Sequence, residues 1–325
     1  MNIVVIGLGS MGKRRIRLIK KYNDQYQIFG IDSSVERRQT SEKEYSIETF
    51  ANVDELLLSK SIECAFVCTS PLSHSEIIRL CLGKGLHVFT ELNLVTDGYD
   101  ENTMLAKENK RVLFLSSTFL YRQEVRKIKQ LVKGSDCLLN YTYHIGQYLP
   151  DWHPWENYKD YFVGDKRSNG CREIFAIELP WLTDVFGAIN KVHVMKNKIS
   201  SLDIDYDDNY MVMIEHANGH KGMLAVDVVS RKAVRNFELF GEELFLQWDG
   251  SAEGIKVYDF DHKEEKKIQL YETVDQLKQY SKFVVENAYF DEIVSFFAVI
   301  EKGEEPLYSF SKDKAILNII DEIEA

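Results

Sequence analysis

Six residues near the start of the chain, Gly7-Leu8-Gly9-Ser10-Met11-Gly12, have the spacing G-x-G-x-x-G. Such a loop carries chemistry only directly after a strand and at the opening of a helix. Here residues 2–6 read as a strand and residues 11–22 as a basic-faced helix, with Ile16 and Ile19 at helical spacing. In that setting the first glycine allows the tight turn, the second lets backbone approach a pyrophosphate, and the third lets helix and strand pack closely. The N–H groups of Ser10, Met11 and Gly12 and the positive end of the helix dipole then meet the phosphates. Asp32 ends the next strand, twenty residues past Gly12 (32 − 12), where a carboxylate accepts from the ribose hydroxyls. A negative charge there opposes a 2′-phosphate, which selects NAD over NADP. Ser33, Arg37 and Arg38 follow, however, and a nearby arginine accommodates such a phosphate.

A second group lies between residues 141 and 156: Tyr143, His144, Gln147, Tyr148, Trp152, His153, Trp155 and Glu156. Trp152 and Trp155 offer flat apolar faces of the kind that stack on a sugar ring. His153, between them, titrates near neutral pH as an acid/base group must. The alternative for His153 is a satisfied loop or core histidine, and His144, on a strand, is the weaker candidate. Glu178 is a candidate base for a substrate hydroxyl, with a helix-face salt bridge as its alternative. Arg122, Lys166, Arg167 and Arg172 carry the charge to hold a carboxylate or phosphate bidentately, although solvated surface charge is the better account of Lys166 and Arg167 and an equal one for Arg122 and Arg172. Metal binding is not expected: His216 and His220 flank a turn, and the acids Asp203, Asp205, Asp207 and Asp208 lack the glycine and closing glutamate of a calcium loop.

Between these groups the chain resembles the Gfo/Idh/MocA oxidoreductases. Cys68-Thr69-Ser70-Pro71-Leu72-Ser73-His74, a short helix, and Gly85-Leu86-His87-Val88-Phe89-Thr90-Glu91 look like that family's T-P-x-x-x-H and G-x-H-V-x-x-E-K-P segments. Leu120-Tyr121-Arg122 resembles its aromatic–arginine pair, and Phe290, Phe296, Gly303 and Pro306 its closing run. The resemblance implies that Thr69, Ser70, Pro71 and His74 line the nicotinamide-ribose side of the cofactor, that Glu91, Asn93 and Arg122 contribute to its site, and that Tyr121 serves the substrate side. It also exposes departures. The family's E-K-P lysine falls on Leu92 and its proline on Asn93; counting from Gly170, the helix aspartate falls on Ile174 and the histidine on Glu178, to within one residue. Leucine cannot move a proton, so the usual lysine assistance is absent.

The elements that must position these residues divide into two patterns. Over the first 120 residues, short β-branched runs (2–6, 27–32, 63–68, 87–90, 112–116) alternate with helical stretches (11–22, from 53, 74–82), the signature of a parallel sheet with crossover helices. The helix over 121–133 closes at Gly134. Residues 121–325 then give an alternating strand over 137–146 read as antiparallel, and a helix over 172–186 that Pro180 is expected to kink or break. Further strands follow from 191 to 270, with a hairpin at Asn218-Gly219, and closing helices over 290–301 and 312–323. The expectation is a dinucleotide-binding Rossmann domain, 1–120, and an α+β domain with a mostly antiparallel sheet, 121–325, for substrate and self-association.

Composition bounds the function. With 325 residues there is chain for two cores, and 51 acids against 40 bases give a charge of −11 that repels phosphate backbones and anionic lipid. Nucleic-acid and membrane binding are therefore not expected. The apolar start reads as a strand rather than a leader. Five cysteines without a C-x-x-C suit a reducing, cytoplasmic setting. Together these readings predict an NAD-dependent oxidoreductase of a sugar-like substrate, nucleotide-linked or acidic, held by Gln147, Trp152, Trp155 and Arg172, in a homo-oligomer (dimer or tetramer) as the resemblance implies. A catalytically silent dinucleotide-binding regulator is the alternative. A lyase or epimerase using NAD transiently is a third.

Overall fold

The computed structural model describes residues 1–154, 156–277 and 281–325, which form two compact units. The first comprises Met1–Ser117 with Tyr289–Ala315. Its elements run β1 (Asn2–Ile6), α1 (Ser10–Tyr22), β2 (Gln27–Ile31), α2 (Val35–Tyr45), β3 (Glu48–Phe50), α3 (Val53–Ser59), β4 (Cys64–Val67), α4 (His74–Gly83), β5 (His87–Thr90), α5 (Tyr99–Glu108) and β6 (Leu113–Leu115). The strands pair in parallel in the order β3-β2-β1-β4-β5-β6. This is the doubly wound dinucleotide-binding topology, whose order reverses at β1 and β4. Ile3, Val4, Val5 and all of β4 are buried, as strands covered on both faces must be. Phe66, Phe89 and Phe114 stack across β4, β5 and β6, with Phe296 edge-on against each. Residues 35–45, 48–50 and 99–108, left without an element by the sequence pattern, are α2, β3 and α5. Ser34 starts α2 by accepting from the Arg37 N–H, and the buried stripe of that helix is only Ser41 and Tyr45, too thin and too polar to read as a period.

The second unit comprises Thr118–Ala288 and Ile316–Ala325. It begins with α6 (Gln123–Lys133), β7 (Asn140–Gly146) and α7 (Gly170–Phe186). There follow β8 (Ile189–Asn197), β9 (Asn209–His216), β10 (Lys221–Asp227), β11 (Val234–Phe240), β12 (Phe245–Trp248), β13 (Lys256–Asp259) and β14 (Glu264–Lys267). Two helices, α8 (Glu286–Lys302) and α9 (Phe310–Glu324), close the chain. The sheet order is β14-β13-β12-β11-β7-β10-β9-β8, antiparallel except at one pair. That exception corrects the reading of β7, which lies parallel to β10 and antiparallel to β11. Alternation reports that one face is buried, and it is blind to the direction of the neighbour. Tyr141, Tyr143 and Phe237 face Trp181 and Phe186 of α7.

The expected break at Pro180 does not occur: α7 runs through it. Proline removes one hydrogen bond, but Phe175, Leu179, Trp181 and Leu182 are fully buried along this helix, and tertiary packing of that extent outweighs the local cost. The hairpin at Asn218-Gly219 is present, with Gly219 at φ +94°. The five cysteines are unpaired, and burial pushes the thiols of Cys64, Cys68, Cys81 and Cys171 up, away from reactivity. Among the described residues no helix is long and apolar enough to cross a membrane.

Candidate cofactor and substrate sites

In the first unit the glycine loop is locked at two glycines and open at the third. Gly7 has φ +92° and donates to the Ile31 carbonyl at 2.8 Å. A Cβ on Gly12 would stand 1.9 Å from the Gly7 carbonyl oxygen, so the turn and α1 are in backbone contact there. A Cβ on Gly9 would meet nothing within 4 Å. Gly9 also caps α1 without a side-chain acceptor, and no acid occupies the first turn. That open approach, beside Ser10 and Met11 at a helix start, fits a pyrophosphate.

Asp32 is buried and bound to the loop itself. Its carboxylate accepts from the Leu8 N–H (2.8 Å) and the Ser34 N–H (2.8 Å). A carboxylate has about four lone-pair sites, so two remain for ribose hydroxyls. The exposed Arg37 guanidinium stands 3.9 Å from it, and Arg38 donates to the Asp32 and Ser33 carbonyls. Ser33 is exposed.

After β4, Ser70 and Pro71 open a short 3₁₀ turn in which Ser73 donates to the Thr69 hydroxyl. His74 is buried. Its Nε2 lies 2.9 Å from the Thr69 carbonyl and its Nδ1 2.6 Å from the Asn93 amide. Burial lowers the His74 pKa, so the ring is neutral. Both ring nitrogens face oxygen atoms, the Thr69 carbonyl and Asn93 Oδ1, and a neutral ring donates to one of them. His74 and Asn93 thus pin the loop after β4 to the segment after β5.

Glu91 is engaged by a residue the sequence reading missed. Arg15, fully buried on α1, donates to both Glu91 oxygens (2.5 and 3.0 Å), to Glu292 (2.7 Å) and to Ser116 (3.2 Å). Its signal was its place on the buried stripe Gly12–Arg15–Ile16–Ile19 of an otherwise basic helix.

In the second unit a cavity of about 170 Å³ is bounded by β7, α7 and β11, with Gln147, Trp152, Glu173, Ile174, Arg235 and Phe283 among its walls. Trp152 is set by its indole N–H donating to the Gln147 carbonyl at 3.2 Å. Trp155 lies outside the described residues. His153 is not among the described residues lining the cavity. It stacks on Tyr161 at 4.7 Å, with Nδ1 3.7 Å from Glu156, and burial lowers its pKa.

The other expected site residues are held within the unit. Glu178 is fully buried and accepts from Tyr143 (2.8 Å), Trp181 (2.7 Å) and Arg235. Three donors occupy most of the roughly four lone-pair sites of that carboxylate, as in a structural ion pair. His144 pairs with Asp227 at 2.8 Å; backbone N–H groups of Val229 and Ser230 help hold that carboxyl below its usual range. Arg122 is buried against Glu124 (2.8 Å) and the carbonyls of Phe283 and Gly250, and Tyr121 is buried beside it. Arg172 pairs with Asp321 (2.7 Å) and Glu324. Neither arginine is presented to the cavity. Sequence reasoning missed Glu173 and Arg235, whose positions are set by the pitch of α7 and the register of β11.

Residues 1–117 match the oxidoreductase family with an NAD-binding Rossmann fold. Human biliverdin reductase A is 26% identical over 215 residues, 65% of this chain and 64% of its own length. Myo-inositol 2-dehydrogenase of Thermotoga maritima is 26% identical over 137 residues, 41% of each chain. The matched segments thus span less than two thirds of these relatives' lengths. The fold extends over the whole chain: a levoglucosan dehydrogenase solved with NADH superposes with a TM-score of 0.82 at 15% identity, covering 100% of this chain and 95% of that one.

Proposed function

Because residues 1–117 belong to the NAD-binding Rossmann oxidoreductase family, we propose that the protein is an NAD(P)-dependent oxidoreductase that moves a hydride between the cofactor and a hydroxyl or keto carbon of a small sugar-like substrate. The observation that carries this reading is the glycine loop, closed at Gly7 and Gly12 and open only at Gly9, with Asp32 bonded to it. When bound, a nicotinamide supplies the hydride chemistry. The chain's own groups do the rest. The α1 N–H groups and Gly9 take the pyrophosphate, Asp32 takes the adenosine ribose, and Thr69, Ser70 and Pro71, held by His74 and Asn93, shape the far side.

NAD is the proposed cofactor, since the Asp32 carboxylate repels a 2′-phosphate and Arg37 is already beside that carboxylate. The substrate reading draws on the cavity walls, where the Trp152 indole stacks and the Gln147 side chain hydrogen-bonds. It also draws on the names of two similar proteins, an inositol dehydrogenase and a levoglucosan dehydrogenase. With Arg122 and Arg172 in internal ion pairs, a neutral polyol suits this cavity better than an acidic or nucleotide-linked sugar.

One observation favours the silent-binder alternative: Leu92 stands where the resembled family has its lysine. The two readings separate in one experiment. Stereospecific hydride exchange between labelled NADH and keto sugars is expected of the enzyme, and tight NAD binding without any exchange identifies the regulator. In the same titrations Asp32→Ala is expected to weaken NAD about tenfold or more, through loss of both the ribose acceptor and the loop anchor. Unchanged calorimetric affinity would remove the NAD assignment.

A further inference from the structure

A carboxyl oxygen buried without a partner is costly, and a folded protein keeps one only where something else is meant to meet it. Oε2 of Glu173 is such an atom: it is buried and has no hydrogen-bond partner in the protein, and its residue lines the cavity of the second unit. Glu173 sits in the first turn of α7, whose N-cap Asn169 accepts from the Arg172 N–H at 2.8 Å, so its backbone is fixed. Trp152, Phe283 and Ile174 give the cavity apolar walls and Gln147 a polar one. Its volume of about 170 Å³ lies below the ~300–1,000 Å³ of drug-sized sites and suits a small polyol.

We propose that Glu173 is the acid/base group of this site, taking the hydroxyl proton when the substrate carbinol is oxidised and returning it in the reverse direction. The proposal rests on the oxidoreductase reading above. In the oxidation, the carbinol C–H bond breaks with its electron pair leaving to the nicotinamide. The O–H bond breaks with its proton passing to the Glu173 carboxylate, and C=O forms. The rival proton holders are engaged elsewhere: Glu178 with three donors, and His144 with Asp227. Among the described cavity-lining residues the other ionisable group is Arg235, which stays charged at any ordinary pH and is paired with Glu178.

Burial pushes the Glu173 carboxyl up to about 7, where a group exchanges protons most effectively at neutral pH. The groups around it are few. Arg235 approaches from β11 with its charge balanced by Glu178. The Tyr161 hydroxyl, also buried without a protein partner, is within electrostatic reach, with Glu156 and His153 beside that ring.

The test uses the full chain with NAD and two probes, myo-inositol and levoglucosan, across pH 5–9. Glu173→Gln, an isostere of the protonated acid, is expected to lower kcat by roughly 10²–10⁴-fold, the usual loss for a general base. It should leave NAD affinity within twofold and erase the limb near pH 7 from the parent's oxidation profile. Glu173→Asp, which keeps the proton with a shorter reach, should recover part of the rate. Infrared difference titration of parent against Glu173→Gln reads the proton without turnover, and a protonated-carboxyl band lost near pH 7 is the expected result. If the parent turns over and Glu173→Gln stays within threefold with the same limb, or if the band is lost near pH 4.5, the assignment to Glu173 is wrong while the oxidoreductase reading stands. A parent that binds NAD yet transfers no hydride overturns both.

Discussion

Two glutamates on one helix have opposite situations. Glu178 is fully buried and accepts three hydrogen bonds, whereas Glu173 has a buried oxygen with none. Removing the Glu178 charge leaves the Arg235 guanidinium buried and uncompensated, so Glu178→Gln is expected to destabilise the protein by about 3–5 kcal/mol, readable in urea unfolding. Glu173 behaves in the other direction. In the unfolded chain it loses its proton near 4.5, and in the folded one near 7. Between those values the folded state holds the extra proton, so stability contributed by the neutral group is full below about pH 4.5 and falls as pH rises to 7, by about 3 kcal/mol in all. Glu173→Gln should abolish that slope and be the more stable protein at pH 8. An unchanged pH dependence of the unfolding midpoint would mean that the carboxyl is ionised throughout.

At the scale of the element, the strand–loop–helix unit β1–α1 separates folding from binding glycine by glycine. A methyl group on Gly12 collides with the Gly7 carbonyl at 1.9 Å, while one on Gly9 meets only open space at an allowed φ of −74°. Gly12→Ala is therefore expected to cost several kcal/mol in overpacking and backbone displacement. Gly9→Val should unfold within about 1 kcal/mol of the parent yet lose NAD binding, because its side chain occupies the pyrophosphate approach. Paired thermal melts and calorimetry distinguish the two, and a Gly9→Val protein that still binds NAD normally would place the phosphates elsewhere. The sheet of the second unit makes the same point about context. The period of β7 told which side chains are buried, but it is the parallel pairing to β10 that brings His144 to Asp227.

On the scale of the whole molecule, each unit has its own core, and the chain contributes to both more than once. Met195 lies opposite Met211, and Met213 opposite Met223, as cross-strand pairs on β8, β9 and β10, and all four are exposed. An apolar set of that kind on a sheet face is a natural surface for self-association with a second copy. Met213→Glu with Met223→Glu is expected to shift the protein toward monomer in sedimentation velocity, with far-UV spectra unchanged. A parent that is monomeric at tens of micromolar would remove the expectation of a homo-oligomer.

What the sequence determined by itself was whatever local chemistry specifies. The glycine loop, Asp32 and the alternation of strands and helices are short-range patterns with one physical meaning, so the Rossmann unit and the antiparallel character of the second sheet were legible before any coordinates. The tertiary structure decided the long-range partners. It showed that Arg15 binds Glu91 and Glu292 from positions 76 and 277 residues away. It also returned Tyr289–Ala315 to the first unit, turned Arg122 and Arg172 inward, and gave Glu178 three donors while leaving Glu173 on a cavity. Whether a charged side chain is spent on another residue or kept for a ligand depends on which distant groups share its low-dielectric surroundings, and sequence spacing carries no record of that.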